Sequence, residues 1–219
     1  MDLEQVGKGA ARKARVLWAN VHCMLDTSSA AALAALGMVH QLVHNGYDGY
    51  VLGAMVFDHA QGATGLRDQC AGLKASTGDE LISLHDGLLE HKLFVTHSTR
   101  RDQMTSREEG AWFSLYQQAL ALCKPDLVIY TGTQAFDYLI PVEAKVRGIP
   151  VVYFQPSENK QAPRRCRDVD LILTAAQAKN TPHLLQILQP LSGQYAGDLD
   201  VEAALRQWHK FGLDDRPPI

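Results

Sequence analysis

Cysteine is sparse in this chain: four residues in 219, at positions 23, 70, 123 and 166, with no CxxC pair. That scatter points to buried free thiols in a reducing compartment, not to a disulfide framework or a zinc knuckle. Long apolar runs are missing too. None approaches the roughly 20 residues that a membrane-spanning helix requires. The opening residues, MDLEQVGKGAARKARV, lack the apolar core of a secretory signal, so the expected location is cytoplasmic. A basic excess is absent as well, the formal net charge being −3, which argues against nucleic acid as a partner. Gly7-Lys8-Gly9 is not a phosphate loop, because no strand precedes it, and neither GxSxG nor HExxH occurs. His85, His91 and His97 are strung along one segment without a compact Cys/His cluster, so no metal site is expected. What remains is 46% hydrophobic and 21% charged, enough to bury a sizeable core as one large domain, or one domain with an appendage.

The most ordered stretch runs over residues 124–156. Leu127-Val128-Ile129-Tyr130 is a short β-rich apolar run, broken at Thr131-Gly132-Thr133. Helix-length sequence follows and closes on Gly148, a residue free to adopt the positive φ wanted at a helix end. Val151-Val152-Tyr153-Phe154 then restarts an apolar run. Strand, helix and strand in this space make a βαβ unit, hence a parallel sheet with a right-handed crossover. Ligands in such sheets sit beyond the carboxyl ends of the strands.

Around this unit the chain reads as further alternation. RVLWANV (15–21) is a first strand, followed by a loop whose Asp26, Thr27 and Ser28 are N-cap candidates. A helix to about Asn45 is expected to turn Leu33, Leu36, Val39, His40 and Val43 inward. YVLGAMVF (50–57) is a second strand, and residues 81–84 and 88–95 are short strands about His85-Asp86-Gly87. Thr105 with Glu108 and Ser106 with Glu109 are overlapping capping-box candidates for a helix with Trp112, Leu115, Ala119 and Leu122 inside. Pro141 predicts a kink or a helix starting there, since proline costs about 3 kcal/mol in a helix interior. Leu171-Ile172-Leu173 is one more strand, residues 181–191 are helical or irregular, and Asp200 caps a last helix over 201–211. The fold class is α/β: a Rossmann-like, three-layer α/β/α unit on a mostly parallel sheet.

Taken in order, RVLWANVHCMLDTSSAAALAAL, TRRDQMTSREEGAWFSLYQQAL, KPDLVIYTGTQAFDYLI, RGIPVVYFQPSEN and RDVDLILTAAQ resemble the N-terminal lobe of a GT-B glycosyltransferase. The likeness is to the large family of retaining enzymes commonly numbered four, and it covers about residues 15–178. Residues 1–14 are then a loose tail. Residues 179–219 look like the helical extension that precedes a second lobe, one that would begin where this chain stops. The resemblance implies an acceptor-recognising lobe, inactive without the other half. It implies no cofactor: a nucleotide sugar enters as substrate, bound mainly by the second lobe. The implied partners are a sugar or glycan acceptor and a second GT-B lobe or partner chain.

By that resemblance the acceptor shelf draws on three loops: Asp26, Ser28 and Ser29; Thr131, Gly132 and Thr133; and Gln155, Ser157, Glu158 and Asn159. Helix capping is the competing role for the first group, and a polar turn for the last. Arg100 and Arg101 are candidates for a phosphate or acidic acceptor, because guanidinium pairs with such groups in a fork; solvated loop arginines are the plain alternative. Where many family members place a histidine that touches the sugar, this chain has Gln155, which hydrogen-bonds but does not titrate near neutrality. That departure keeps a second reading open, a non-catalytic binding or scaffold module. A nucleotide-sugar epimerase of the same architecture is a third.

Overall fold

The computed structural model describes residues 13–59, 65–66, 68–70, 72, 80–157, 168–192 and 201–211. Seven strands form one sheet: β1 Arg15–Ala19, β2 Asp48–Ala54, β3 Leu81–His85, β4 Glu90–Phe94, β5 Leu127–Tyr130, β6 Val151–Gln155 and β7 Leu171–Thr174. Their order is β3-β4-β2-β1-β5-β6-β7. Every neighbouring pair is parallel except the hairpin β3/β4. The expected βαβ unit is present, with Val128 opposite Val151 and Tyr130 opposite Tyr153.

The apolar runs read as strands because the sheet is covered on both faces. Alternate residues go to opposite sides. Leu17, Tyr50, Leu52, Val128, Tyr130 and Val151 pack under α2 (Ser106–Cys123), α3 (Leu139–Val146) and α6 (Val201–Lys210). Val16, Trp18, Val51, Ile129, Val152 and Phe154 pack under α1 (Ala30–His44) and α5 (Thr181–Ser192), beside the short α4 (Ala175–Lys179). Trp112 and Tyr116 are fully buried and stacked at 5.7 Å. The last helix is anchored by Trp208, edge-on to Tyr50 at 5.2 Å, and by Phe211.

Caps set several boundaries. Thr105 and Glu108 form the expected capping box of α2, each side chain bonding the other's backbone N–H. Gly148 has φ 72° just beyond α3. Pro141 is the third residue of α3, behind a 3-10 turn over Ala135–Tyr138, so its missing N–H falls where no intrahelical partner exists. Two expectations are corrected. The N-cap of α1 is Ser29, not Asp26, Thr27 or Ser28. Its inward face is Ala32, Ala35, Met38, Val39 and Leu42, while Leu33 is 48% exposed. Small side chains at 32 and 35 let that face of the helix lie against the sheet beside Met38, Val39 and Leu42, which leaves Leu33 on the outer side. Asp200, Cys166 and residues 1–12 lie outside the described residues.

Candidate functional site

Strand β1 is flanked by β2 on one side and β5 on the other. Connections from β1 and β5 therefore diverge at the carboxyl rim, and a crevice opens there. It is a cleft of about 330 Å³, within the range of small-molecule sites. Trp18 and Asn20 come from β1 and its end, His22 and Met24 from the loop after it, and Ser29, Ala31 and Ala32 from the start of α1. Asp58 follows β2, Thr131 to Gln134 and Asp137 follow β5, and Tyr153 and Gln155 end β6, with Pro156 and Ser157 beyond.

The cleft brings together Ser29, Thr131, Gly132, Thr133, Gln155, Ser157 and Arg101 of the residues singled out in the sequence. Asp26 and Ser28 lie behind its wall. Arg100 pairs with Asp102 at 3.0 Å on the surface, outside the lining. Glu158 and Asn159 lie outside the described residues. Gln134, in the stretch 131–134 that the strand ends single out, lines the cleft too, whereas sequence reasoning missed Asn20, His22, Asp58 and Asp137. The only signal available was position, and only for His22 and Asp58, which lie just after expected strands; Asn20 falls inside the expected first strand and Asp137 in the expected helix.

Asp26 organises the first loop. It is 1% exposed. One carboxylate oxygen accepts from the Ser28 amide at 2.9 Å and from the Ser28 hydroxyl. The other accepts from the Asp58 amide at 2.8 Å and meets His22 Nε2 at 3.0 Å. Burial alone would raise this carboxyl. The Ser28 hydroxyl, the amides of Asp58 and Ser28, and His22 together outweigh it and hold the group below the ordinary carboxylate range. The imidazole is thereby fixed in orientation on the cleft wall, its Nδ1 lying 3.8 Å from Asp58 Oδ1.

The second loop is built on a close approach. Gly132 has φ 141°, and a Cβ there would lie 2.4 Å from Asp137 Oδ2. Asp137 accepts from the Gln134 amide at 2.9 Å and from Arg101 Nη2 at 3.2 Å. Burial raises its carboxyl above the usual value, and Arg101 with the amides of Gln134 and Thr133 only partly opposes this. Arg101 Nη1 goes to Glu109 at 2.7 Å, and its guanidinium lies 5.5 Å from the Phe136 ring centre. Both terminal nitrogens of Arg101 are thus committed to carboxylates. Its clearest role is to position Asp137.

A second cavity, of about 380 Å³, lies by the start of α2 between Glu80, His97, Arg107 and Glu108. The Glu108 carboxylate there is consumed locally. Glu108 accepts from the amides of His97, Ser98 and Thr105 at 2.8–3.0 Å.

The architecture and the rim cleft define a Rossmann-like α/β unit with a crevice at the switch point of the sheet. No protein-family model matches the sequence, and no curated protein matches it. Among solved structures the chain is similar to a putative UDP-N-acetylglucosamine 2-epimerase from Listeria monocytogenes, at 12% identity and a TM-score of 0.42, covering 88% of this chain and 44% of that one. It is similar to UDP-GlcNAc 2-epimerase from Neisseria meningitidis, at 15% and 0.41, covering 80% and 43%. An alpha-glucosyltransferase solved with UDP and DNA gives 10% and 0.38, covering 74% and 38%. The chain spans less than half the length of each.

Proposed function

We propose that this chain is the acceptor-recognising lobe of a nucleotide-sugar-dependent glycosyltransferase of GT-B architecture, completed by a second lobe that holds the nucleotide diphosphate. The observation that carries the reading is the character of the rim cleft. Thr131, Thr133, Gln134, Gln155 and Asn20 offer neutral hydrogen-bonding groups along a cleft whose floor includes the buried rings of Trp18 and Tyr153, a set suited to a sugar's hydroxyls. Among the described lining residues Arg101 is the sole permanent cation, and it is already paired with Glu109 and Asp137. A diphosphate would find little free positive charge here, whereas an uncharged hydroxyl acceptor needs none. Transfer requires that acceptor to be held against the anomeric carbon, and the loops after β1, β5 and β6 supply such a shelf. In this reading the reaction is retaining and the chain alone is inactive.

A titration of the purified chain tests this, followed by calorimetry and by amide NMR. Monosaccharides and short glycans are expected to bind weakly and shift the amides of Thr131, Thr133 and Gln155, while UDP-glucose binds far more weakly. Tight UDP-glucose binding by this chain alone would overturn the assignment of donor contacts to the other lobe. The scaffold reading draws on Gln155, a group without acid–base chemistry at the cleft's edge. It gains ground if no sugar shifts the cleft amides.

A further inference from the structure

The rim also carries a second constellation, independent of the acceptor reading. His22, Asp26 and Asp58 each present one nitrogen or oxygen, and these three atoms lie within 4.8 Å of one another. His22 and Asp58 line the cleft wall. His22 Nε2 and Asp26 Oδ2 are 3.0 Å apart, about the separation of two adjacent ligands that are each roughly 2.1 Å from a shared ion. The Asp58 side chain is 52% exposed, so its carboxylate is free to rotate toward the other two.

The charge balance supplies a separate argument. Asp26 is wholly buried, yet neither it nor Asp58 pairs with a lysine or arginine among the described residues. Their ion-pair contacts are to His22 alone. Among the described residues no lysine or arginine balances these two carboxylates, which a divalent cation would do. We propose that His22, Asp26 and Asp58 bind a divalent transition-metal ion of the manganese or zinc type at the rim of the cleft. One imidazole nitrogen with two carboxylate oxygens suits such ions better than calcium, which prefers an all-oxygen shell, or copper(I), which prefers sulfur. Two carboxylates would neutralise the ion, and the positions left open face the cleft. The Ser28 hydroxyl and the Asp58 amide hold Asp26 in orientation, as outer-shell partners do for metal ligands.

The test uses the chelator-treated chain with Mn²⁺ alone, following loss of the free-ion electron paramagnetic resonance signal and the heat of binding. A single saturable site is expected, from which Zn²⁺ displaces Mn²⁺. Asp58→Asn and His22→Gln should each weaken binding by about tenfold or more, and Ser28→Ala by about tenfold. Asp58 is exposed enough that its variant should melt like the parent chain without metal, so a loss of binding there is not a loss of fold. Absence of saturable binding for both ions overturns the proposal. So does a His22→Gln, Asp58→Asn double variant that binds as tightly as the parent, since the ion would then sit elsewhere.

Discussion

Gly132→Ala tests the construction of the second rim loop. The backbone there, at φ 141°, is one that side chains other than glycine rarely adopt, and forcing alanine into it costs about 1–3 kcal/mol. A new Cβ would also lie 2.4 Å from Asp137 Oδ2, 2.6 Å from its Cγ and 2.9 Å from its Cβ. That is well inside van der Waals contact, so Asp137 must turn away. Turning breaks its bonds to the Gln134 amide and to Arg101, and losing a buried charge-assisted bond costs roughly 1.5–3 kcal/mol. The two terms together give about 2.5–6 kcal/mol, or a fall in melting temperature on the order of 10 °C for a chain of this size. Gly37→Ala is the matched control. Gly37 sits inside α1 with nothing within 4 Å of its would-be Cβ, so alanine should stabilise by about 0.5–1 kcal/mol. Urea denaturation of both variants measures the pair. Should Gly132→Ala unfold at the parent's midpoint, or both variants shift in the same direction, the account of this loop is wrong.

Three further outcomes are expected. Glu108 is buried, but its hydrogen bonds from Ser98 and Thr105 outweigh that burial and lower its carboxyl to about 2 from an ordinary 4.5. Its folded pKa lies below its unfolded one, so its stabilisation is complete above about pH 4.5 and disappears as the pH falls toward 2. Denaturation midpoints across that window should fall less steeply for Glu108→Gln than for the parent. Trp208→Ala should cost about 3–5 kcal/mol by emptying the site against Tyr50, and a melting temperature within 2–3 °C of the parent would show that α6 is not part of the packed unit. Burial pushes the Cys23 thiol up to about 12 and the Cys70 thiol up to about 11, and Cys123 is raised by burial as well. A thiol reagent at pH 8 should reach these three only on unfolding, and labelling of any of them in the native chain would contradict their burial.

Periodicity and capping chemistry are local, so the sequence determined much of the secondary structure. Val16 to Ala19, Leu127 to Tyr130 and Val151 to Phe154 had to be strands, because short unbroken apolar runs fit a sheet buried on both faces. Thr105 and Glu108 placed the start of α2, and Gly148 the end of α3, through bonds and torsions within a few residues. The parallel sense of β5 and β6 followed from the helix between them. The rim as the place for a ligand was legible for the same reason, and seven of the singled-out residues do line the cleft.

Tertiary structure decided what meets there. His22 is four residues from Asp26 but 36 from Asp58, and Arg101 is 36 from Asp137. No motif links such positions. They converge because β1 pairs with β2 on one edge and β5 on the other, which brings the loops after these parallel strands to one rim. Packing also chose the face of α1 that carries Ala32, Ala35 and Leu42 over the one that carries Leu33, and committed Arg101 to carboxylates. A side chain's type shows which bonds it is able to make; its neighbours in the folded chain select which of them it does make.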